Sequence, residues 1–354
     1  GFSQALVARV DSATVNSLAV GGAFSMAGNL PANNVALWTE NSATLSKTWS
    51  AMGAGFNNEV LALTVFRSKF VAGGFFTASG GTVVNGVARF DGTNWMPLTT
   101  GVGSNGRVFA FTTRLAGTIS NPQHQLIVGG EFTTAGGVAV KNIAVWFENE
   151  VQHPLNGWLT LGNGFNGRVN ALTMHNGSIH AGGLFTQSGD GVTSLNHIAR
   201  WTGSAWVQVG SGLSGTVNAL LSKDGVLYAP MTGPNPALMK WDGTTWSAID
   251  GGAQSTEGTF NLFAIGAYHN EIHIGGFFDT VNFGTIDSPD WARYLETGPP
   301  WIVRQPSPQF VGCGTSASFS IQAAIGYGGL TFAWRKDGVP IGNGPSGHGS
   351  SITG

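Results

Sequence analysis

The sequence predicts an all-β fold assembled from repeats. A glycine-bracketed aromatic phrase recurs, as GGFFTASGG at 73–81, GGEFTTAGG at 129–137 and GGLFTQSG at 182–189. Short apolar runs are joined by tight-turn residues, as in VNALTMH and SIHAGGLF flanking Asn176-Gly177. No segment carries a capped apolar period of 3.6 residues. Four short strands per unit of this length predict a β-propeller blade, and six units predict six blades.

Each strand of the unit has its own anchor. The first strand reads VLAL from 60, VFAF from 108, VNAL from 169 and again from 217, and LFAI from 262. The second ends in the double glycine, beginning at Gly21, Gly73, Gly129, Gly182 and Gly275, with Ala229 in the degenerate fifth copy; the spacing runs from 46 to 56 residues. The third closes on an aromatic residue: Trp38, Phe90, Trp146, Trp201, Trp241 and Tyr294. A tryptophan then marks the fourth, at Trp49, Trp95, Trp158, Trp206 and Trp246, after turns such as Asp91-Gly92 and Asp242-Gly243. The phrase is expected to be architectural, its glycines allowing close backbone approach and positive φ at a bend, its aromatics filling the space between sheets. In unit five the loss of GGxF and the prolines Pro230, Pro234 and Pro236 put a regular blade in doubt.

The propeller is expected over residues 1–298. Gly1-Phe2-Ser3-Gln4 matches Gly55-Phe56-Asn57-Asn58, so the chain opens at a unit boundary. The sixth unit has no clean fourth strand. Two alternatives stand: WIVRQ at 301–305, or a strand upstream of Gly1 in a longer precursor. Residues 299–354 change grammar, with a proline-rich entry, SFSIQA and LTFAWRKDGVPI. This segment resembles the first half of a bacterial immunoglobulin-like domain, with Trp334 as the buried tryptophan and Phe319 or Ile321 near the place of an intersheet cysteine. A full sandwich needs about 100 residues. The segment is therefore expected to be incomplete, as part of a longer protein or completed by a strand from a neighbouring molecule.

Composition narrows the partners. Charged residues are 10% of the chain and the net charge is −2, which argues against a nucleic-acid or anionic-membrane partner. No run approaches the roughly 18 apolar residues of a membrane span. The single cysteine, Cys313, excludes an intrachain disulfide and a CxxC metal site. The start at Gly1 shows no signal-peptide pattern, so any such segment is expected to have been removed or never included. Abundant Asn, Thr, Ser and Gly suit a secreted or cell-surface protein.

The units GGxFTxxGG, IARW and DGTxW, followed by WRKDGVPI, resemble the secreted repeat proteins of planctomycetes and other environmental bacteria. The resemblance covers essentially the whole chain. It implies a propeller with an immunoglobulin-like appendage and a surface or extracellular binding role.

Candidate chemistry is sparse. Asp91, Asp224 and Asp242 precede glycine and read as turn formers. Glu131 stands at the x of GGxF, where sister units carry Ala23, Phe75, Leu184 and Phe277. His180 and His273 match each other, as do His175 and His269, which reflects repeat ancestry rather than a metal centre. No DxDxDG, HExxH or GxSxG pattern occurs. Arg89, Arg200, Lys240 and Arg293 share one position in four units; a ring of such cations would suit an anionic ligand such as an acidic sugar, or each would bond the next blade and cover an aromatic face. The expected function is a non-enzymatic binding or structural module, for adhesion or assembly with a glycan or protein, without cofactor or metal. One alternative is a polysaccharide hydrolase or lyase at the propeller axis, with Glu131, Glu148, Glu150 and His153 as first suspects. Another is a filament subunit joined through the C-terminal sandwich.

Overall fold

The computed structural model describes residues 2–118, 121–149, 156–233, 238–249, 261–268, 271–281 and 286–294, together with strands at 301–304, 322–324, 334–336, 339–341, 344–345 and 351–352. Every regular element among them is a strand. The chain divides into two compact units, one of residues 1–266 and 274–292, the other of 267–273 and 293–354.

In the first unit, four repeats fold as separate four-stranded antiparallel sheets in simple up-and-down order. The fourth is representative: Val169–His175, Ser178–Gly183, Ile198–Trp201 and Trp206–Gln208 pair in sequence. The first repeat completes its own sheet from Phe2–Val10, Val15–Ala23, Val35–Asn41 and Ser46–Ala51. First strands of successive repeats pack against one another, Phe2–Val10 on Val60–Phe66, that strand on Arg107–Thr118, and so on to Val169–His175.

The repeated residues hold this arrangement. The first glycine of each pair is a seat for the next repeat: a Cβ on Gly21 would lie 2.4 Å from Val60 Cγ1, one on Gly73 2.4 Å from Val108 Cγ1, and one on Gly182 2.4 Å from Val217 Cγ1. The second glycine lies under its own repeat's first strand, where a Cβ on Gly74 would meet the Glu59 carbonyl at 2.1 Å. The expected positive φ falls elsewhere, at Gly80 and Gly136 in the second glycine pair of the phrase. The phrase's phenylalanine is buried, and Phe76 stacks on Phe56 at 3.9 Å as Phe185 does on Phe165 at 4.2 Å. From the second repeat to the fifth, the fourth-strand tryptophan donates its indole N–H to a carbonyl just past the preceding repeat's fourth strand: Trp95 to Met52, Trp158 to Leu98, Trp206 to Leu161 and Trp246 to Val209, all at 2.9–3.0 Å. Apolar clusters fill the spaces between sheets.

The fifth repeat departs as its prolines suggest. Its first strand is split into Thr216–Val217 and Leu221–Lys223, both paired to Val226–Thr232. Pro230 lies opposite the break and has no N–H to give to the ladder. Pro234 and Pro236 lie outside the described residues.

Of the two alternatives for the sixth repeat's fourth strand, the segment at 301 goes elsewhere. Trp301–Arg304 pairs with Gln322–Ala324 in a two-stranded sheet of the second unit. Two further pairs, Trp334–Lys336 with Val339–Ile341 and Gly344–Pro345 with Ser351–Ile352, are described there. Cys313, Phe319 and Ile321 lie outside the described residues.

Candidate functional site

Arg89, Arg200 and Lys240 all sit on third strands, two strands away from the first strand, and on three separate sheets. The structure does not bring them together. Arg89 donates to Glu148 of the next repeat at 2.5 Å, and Arg67 donates to the other carboxylate oxygen at 3.0 Å. Glu148 is 3% exposed and also accepts from the Trp146 indole. Burial pushes this carboxyl up, but the Trp146 indole and the Arg89 and Arg67 guanidiniums outweigh it, so the net displacement is downward. An ionised carboxylate with both oxygens occupied ties two sheets together and is poorly suited to proton transfer. A cavity of about 470 Å³ opens beside this cluster, against Lys69 and Asn156. Arg200 is exposed and lies across the strand pair from His180, while Arg293, in the second unit, faces Glu271 at 3.3 Å. Glu150, His153 and His269 lie outside the described residues.

His175 and His180 are buried with ring centroids 5.2 Å apart. His175 Nδ1 is 2.9 Å from Ser222 Oγ, linking the fourth and fifth repeats. Burial lowers both pKa values, that of His180 to about 4. Among the described residues no group of three His, Cys, Asp or Glu side chains is placed to hold a metal ion.

A different set of residues does converge. Where the first strand enters each sheet, a bulge interrupts pairing, between Val60 and Ala62, Val108 and Ala110, and Val169 and Ala171. The bulged residue, the residue before the leading valine and the x of GGxF all lie at this one end. The last two are direct neighbours: Arg107 pairs with Glu131, the Phe75 N–H donates to the Glu59 carbonyl, and the Leu184 N–H donates to the Arg168 carbonyl. Residue type at these positions varies between repeats. In the second, third and fourth repeats they are Glu59, Leu61 and Phe75; Arg107, Phe109 and Glu131; Arg168, Asn170 and Leu184.

They interlock across repeats. The Arg107 guanidinium lies 4.6 Å from the Phe75 ring centroid, Phe75 meets Phe109 edge-on at 5.8 Å, and the Arg168 guanidinium lies 4.8 Å from the Phe109 centroid. Asn170 accepts from Arg168 Nε at 2.7 Å and donates to the Val217 carbonyl. Glu131 approaches Arg107 at 3.8 Å, and both are about half exposed. Beside this pair is a cavity of about 440 Å³ bordered by Ser104, Asn105, Thr133 and Thr134. Sequence reading found Glu131 here and missed Arg107 and Arg168, which belong to no repeated phrase. Their common place before the valine of VFAF and VNAL is the signal that would have found them.

A family model described as the Rax2 C-terminal β-propeller domain matches residues 118–273. With the consecutive four-stranded sheets, this makes the chain a β-propeller protein. No curated protein matches. Among solved structures, the β-propeller domain of the Trilobed protease from Pyrococcus furiosus is similar at 11% identity and TM-score 0.34, over 86% of this chain and 88% of that one. An α-L-arabinofuranosidase (CtGH43) from Clostridium thermocellum is similar at 10% identity and TM-score 0.28, over 78% of this chain and 82% of that one. Neither likeness reaches a level that would speak for a shared site.

No described helix is long and apolar enough to cross a membrane, a statement that leaves β-barrels aside.

Proposed function

We propose that this chain is a non-enzymatic binding module of a secreted or cell-surface protein, a six-bladed propeller followed by an incomplete immunoglobulin-like segment. One observation carries the reading: the three variable positions of each repeat gather at one end of the innermost strand, so the scaffold is constant and the rim is free to differ. Aromatic and arginine side chains are concentrated there, in Phe75, Phe109, Arg107 and Arg168, with Phe263 and Phe277 exposed at the equivalent places of the sixth repeat. Glu131 belongs to this rim and is proposed as a ligand contact. Arg89, by contrast, is proposed to act structurally, through Glu148.

The test is binding of the intact protein to a panel of oligosaccharides and extracellular matrix proteins, with product analysis after long incubation. Binding that is weakened by Leu184→Ser or Glu131→Gln and unchanged by Lys47→Gln is the expected result. Turnover of a polysaccharide lost with Glu131→Gln would overturn the non-enzymatic reading in favour of a hydrolase or lyase. Concentration-dependent polymers with no ligand binding would replace it with a filament subunit.

A further inference from the structure

Resting on that reading, we infer that the rim of the third and fourth repeats takes an acidic oligosaccharide, with Arg168 receiving a sugar carboxylate and Arg107 with Glu131 reading neighbouring hydroxyls. Arg168 is built for this. Its guanidinium lies over the Phe109 ring and is held by Nε donation to Asn170, which is itself anchored to the Val217 carbonyl. Among the described residues no carboxylate lies within 4 Å of it, and neither of its terminal nitrogens makes a hydrogen bond. A guanidinium fixed in this way presents two parallel donors to a planar carboxylate with little freedom left to lose.

The surroundings select a sugar over a more highly charged anion. Glu131 stands 3.8 Å from Arg107, and Glu59 occupies the equivalent rim position of the second repeat, so a phosphate-rich or polysulfated chain meets two carboxylates. Arg107 and Glu131 together offer donors and acceptors for hydroxyl groups. The adjoining cavity of about 440 Å³ is large enough for a small ligand and adds the hydroxyls of Ser104, Thr133 and Thr134. The net charge of −2 likewise gives no broad positive field for a polyanion. What fits is one carboxylate embedded among hydroxyls, the chemistry of a uronic-acid unit.

The experiment is calorimetric titration of the intact protein with a uronic-acid hexasaccharide and with the same chain after reduction of its carboxyl groups. The acidic chain should bind at least about tenfold more tightly, a margin that shrinks as salt is raised. Arg168→Gln should abolish the margin, lowering affinity for the acidic chain far more than for the reduced chain. Arg168→Lys should recover only part of it, because a point charge lacks the paired donors. Phe109→Leu keeps the charge and removes the support, and should weaken the acidic chain more than the reduced one, with thermal melts confirming that all three variants fold. Equal binding of both chains, weakened by Glu131→Gln, would overturn the acidic class and leave the rim as a binding face. Binding unaffected by every rim substitution, or no binding of either chain, would overturn the assignment, and in the first case the rim reading with it.

Discussion

Removing the Glu148 charge would leave Arg67 and Arg89 without their shared carboxylate at the seam of the second and third repeats. Both guanidiniums keep partial access to water, with side chains 29% exposed, so the loss is smaller than for a fully buried pair. Glu148→Gln is expected to lower stability by about 1–2 kcal/mol in a denaturant titration, whereas Glu40→Gln, which breaks the exposed pair with Lys47, should change it by less than about 0.5 kcal/mol. The sequence singled out Glu148 because it interrupts the repeat, as a catalytic residue would. Its partners lie 59 and 81 residues away on a neighbouring sheet, a distance no local pattern reports. The buried histidines give a second test. Burial lowers His180 to about 4, aided by His175 and Arg200 and opposed by the Ser178 carbonyl it contacts. The unfolded chain therefore binds the proton first: stability is full above about pH 6.5, declines as pH falls and levels off near 4. The His180 contribution is on the order of 3 kcal/mol, and His180→Phe should flatten that part of the profile.

At the level of the strand pair, the two double glycines of the phrase differ in kind. A Cβ on Gly73 would stand 2.4 Å from Val108 and 2.7 Å from Phe111, side chains packed in the seam. One on Gly81 would meet nothing within 4 Å. Gly73→Ala is expected to cost about 1–3 kcal/mol and Gly81→Ala to be neutral within about 0.5 kcal/mol, as read from melting midpoints. The strands of the first four repeats and their order were legible because apolar alternation, turn residues and aromatic anchors all follow the same period. The reason for the first glycine pair was only half legible. Close approach was foreseen, but its object is the next repeat's valine, a contact between sheets that the spacing of one phrase cannot reveal. Asn57 and Asn166 accept through their side chains from two successive backbone N–H groups of their own repeats' loops, whereas Gly55-Phe56-Asn57-Asn58 read in sequence only as the mark of a unit boundary.

For the molecule as a whole, the seats offered by the double glycines define what a sixth blade must do. Gly21, Gly73, Gly129 and Gly182 are each covered by the leading valine of the following repeat, Val60, Val108, Val169 and Val217. By register, Ser3 holds that place in the first repeat, since Ser3 pairs with Gly22 as Val60 pairs with Gly74, which corrects the match of Gly1-Phe2-Ser3-Gln4 to Gly55-Phe56-Asn57-Asn58 that set Ser3 level with Asn57. Gly275 is the remaining seat, and among the described residues an added Cβ there would have only the Asp290 carbonyl at 3.8 Å and Ala264 at 3.9 Å within reach. Phe2 and Leu6, on the same strand as Ser3, are 69% and 61% exposed. An unfilled seat and an uncovered strand are complementary, and a six-bladed ring would join them within one chain. A Cβ on Gly21 would lie 2.9 Å from Val60 Cβ, so cysteines at the corresponding positions of a closed seam come within disulfide range after small adjustment. In a Cys313→Ser background, Ser3→Cys with Gly275→Cys should therefore oxidise to an intramolecular crosslink that leaves the mass of a single chain and forms at the same rate at any protein concentration. Crosslinked dimers and higher species that grow with concentration would place the first repeat of one molecule on the sixth of another, the geometry of a filament. Free thiols under oxidising conditions would mean that neither seam forms and that six blades is the wrong count.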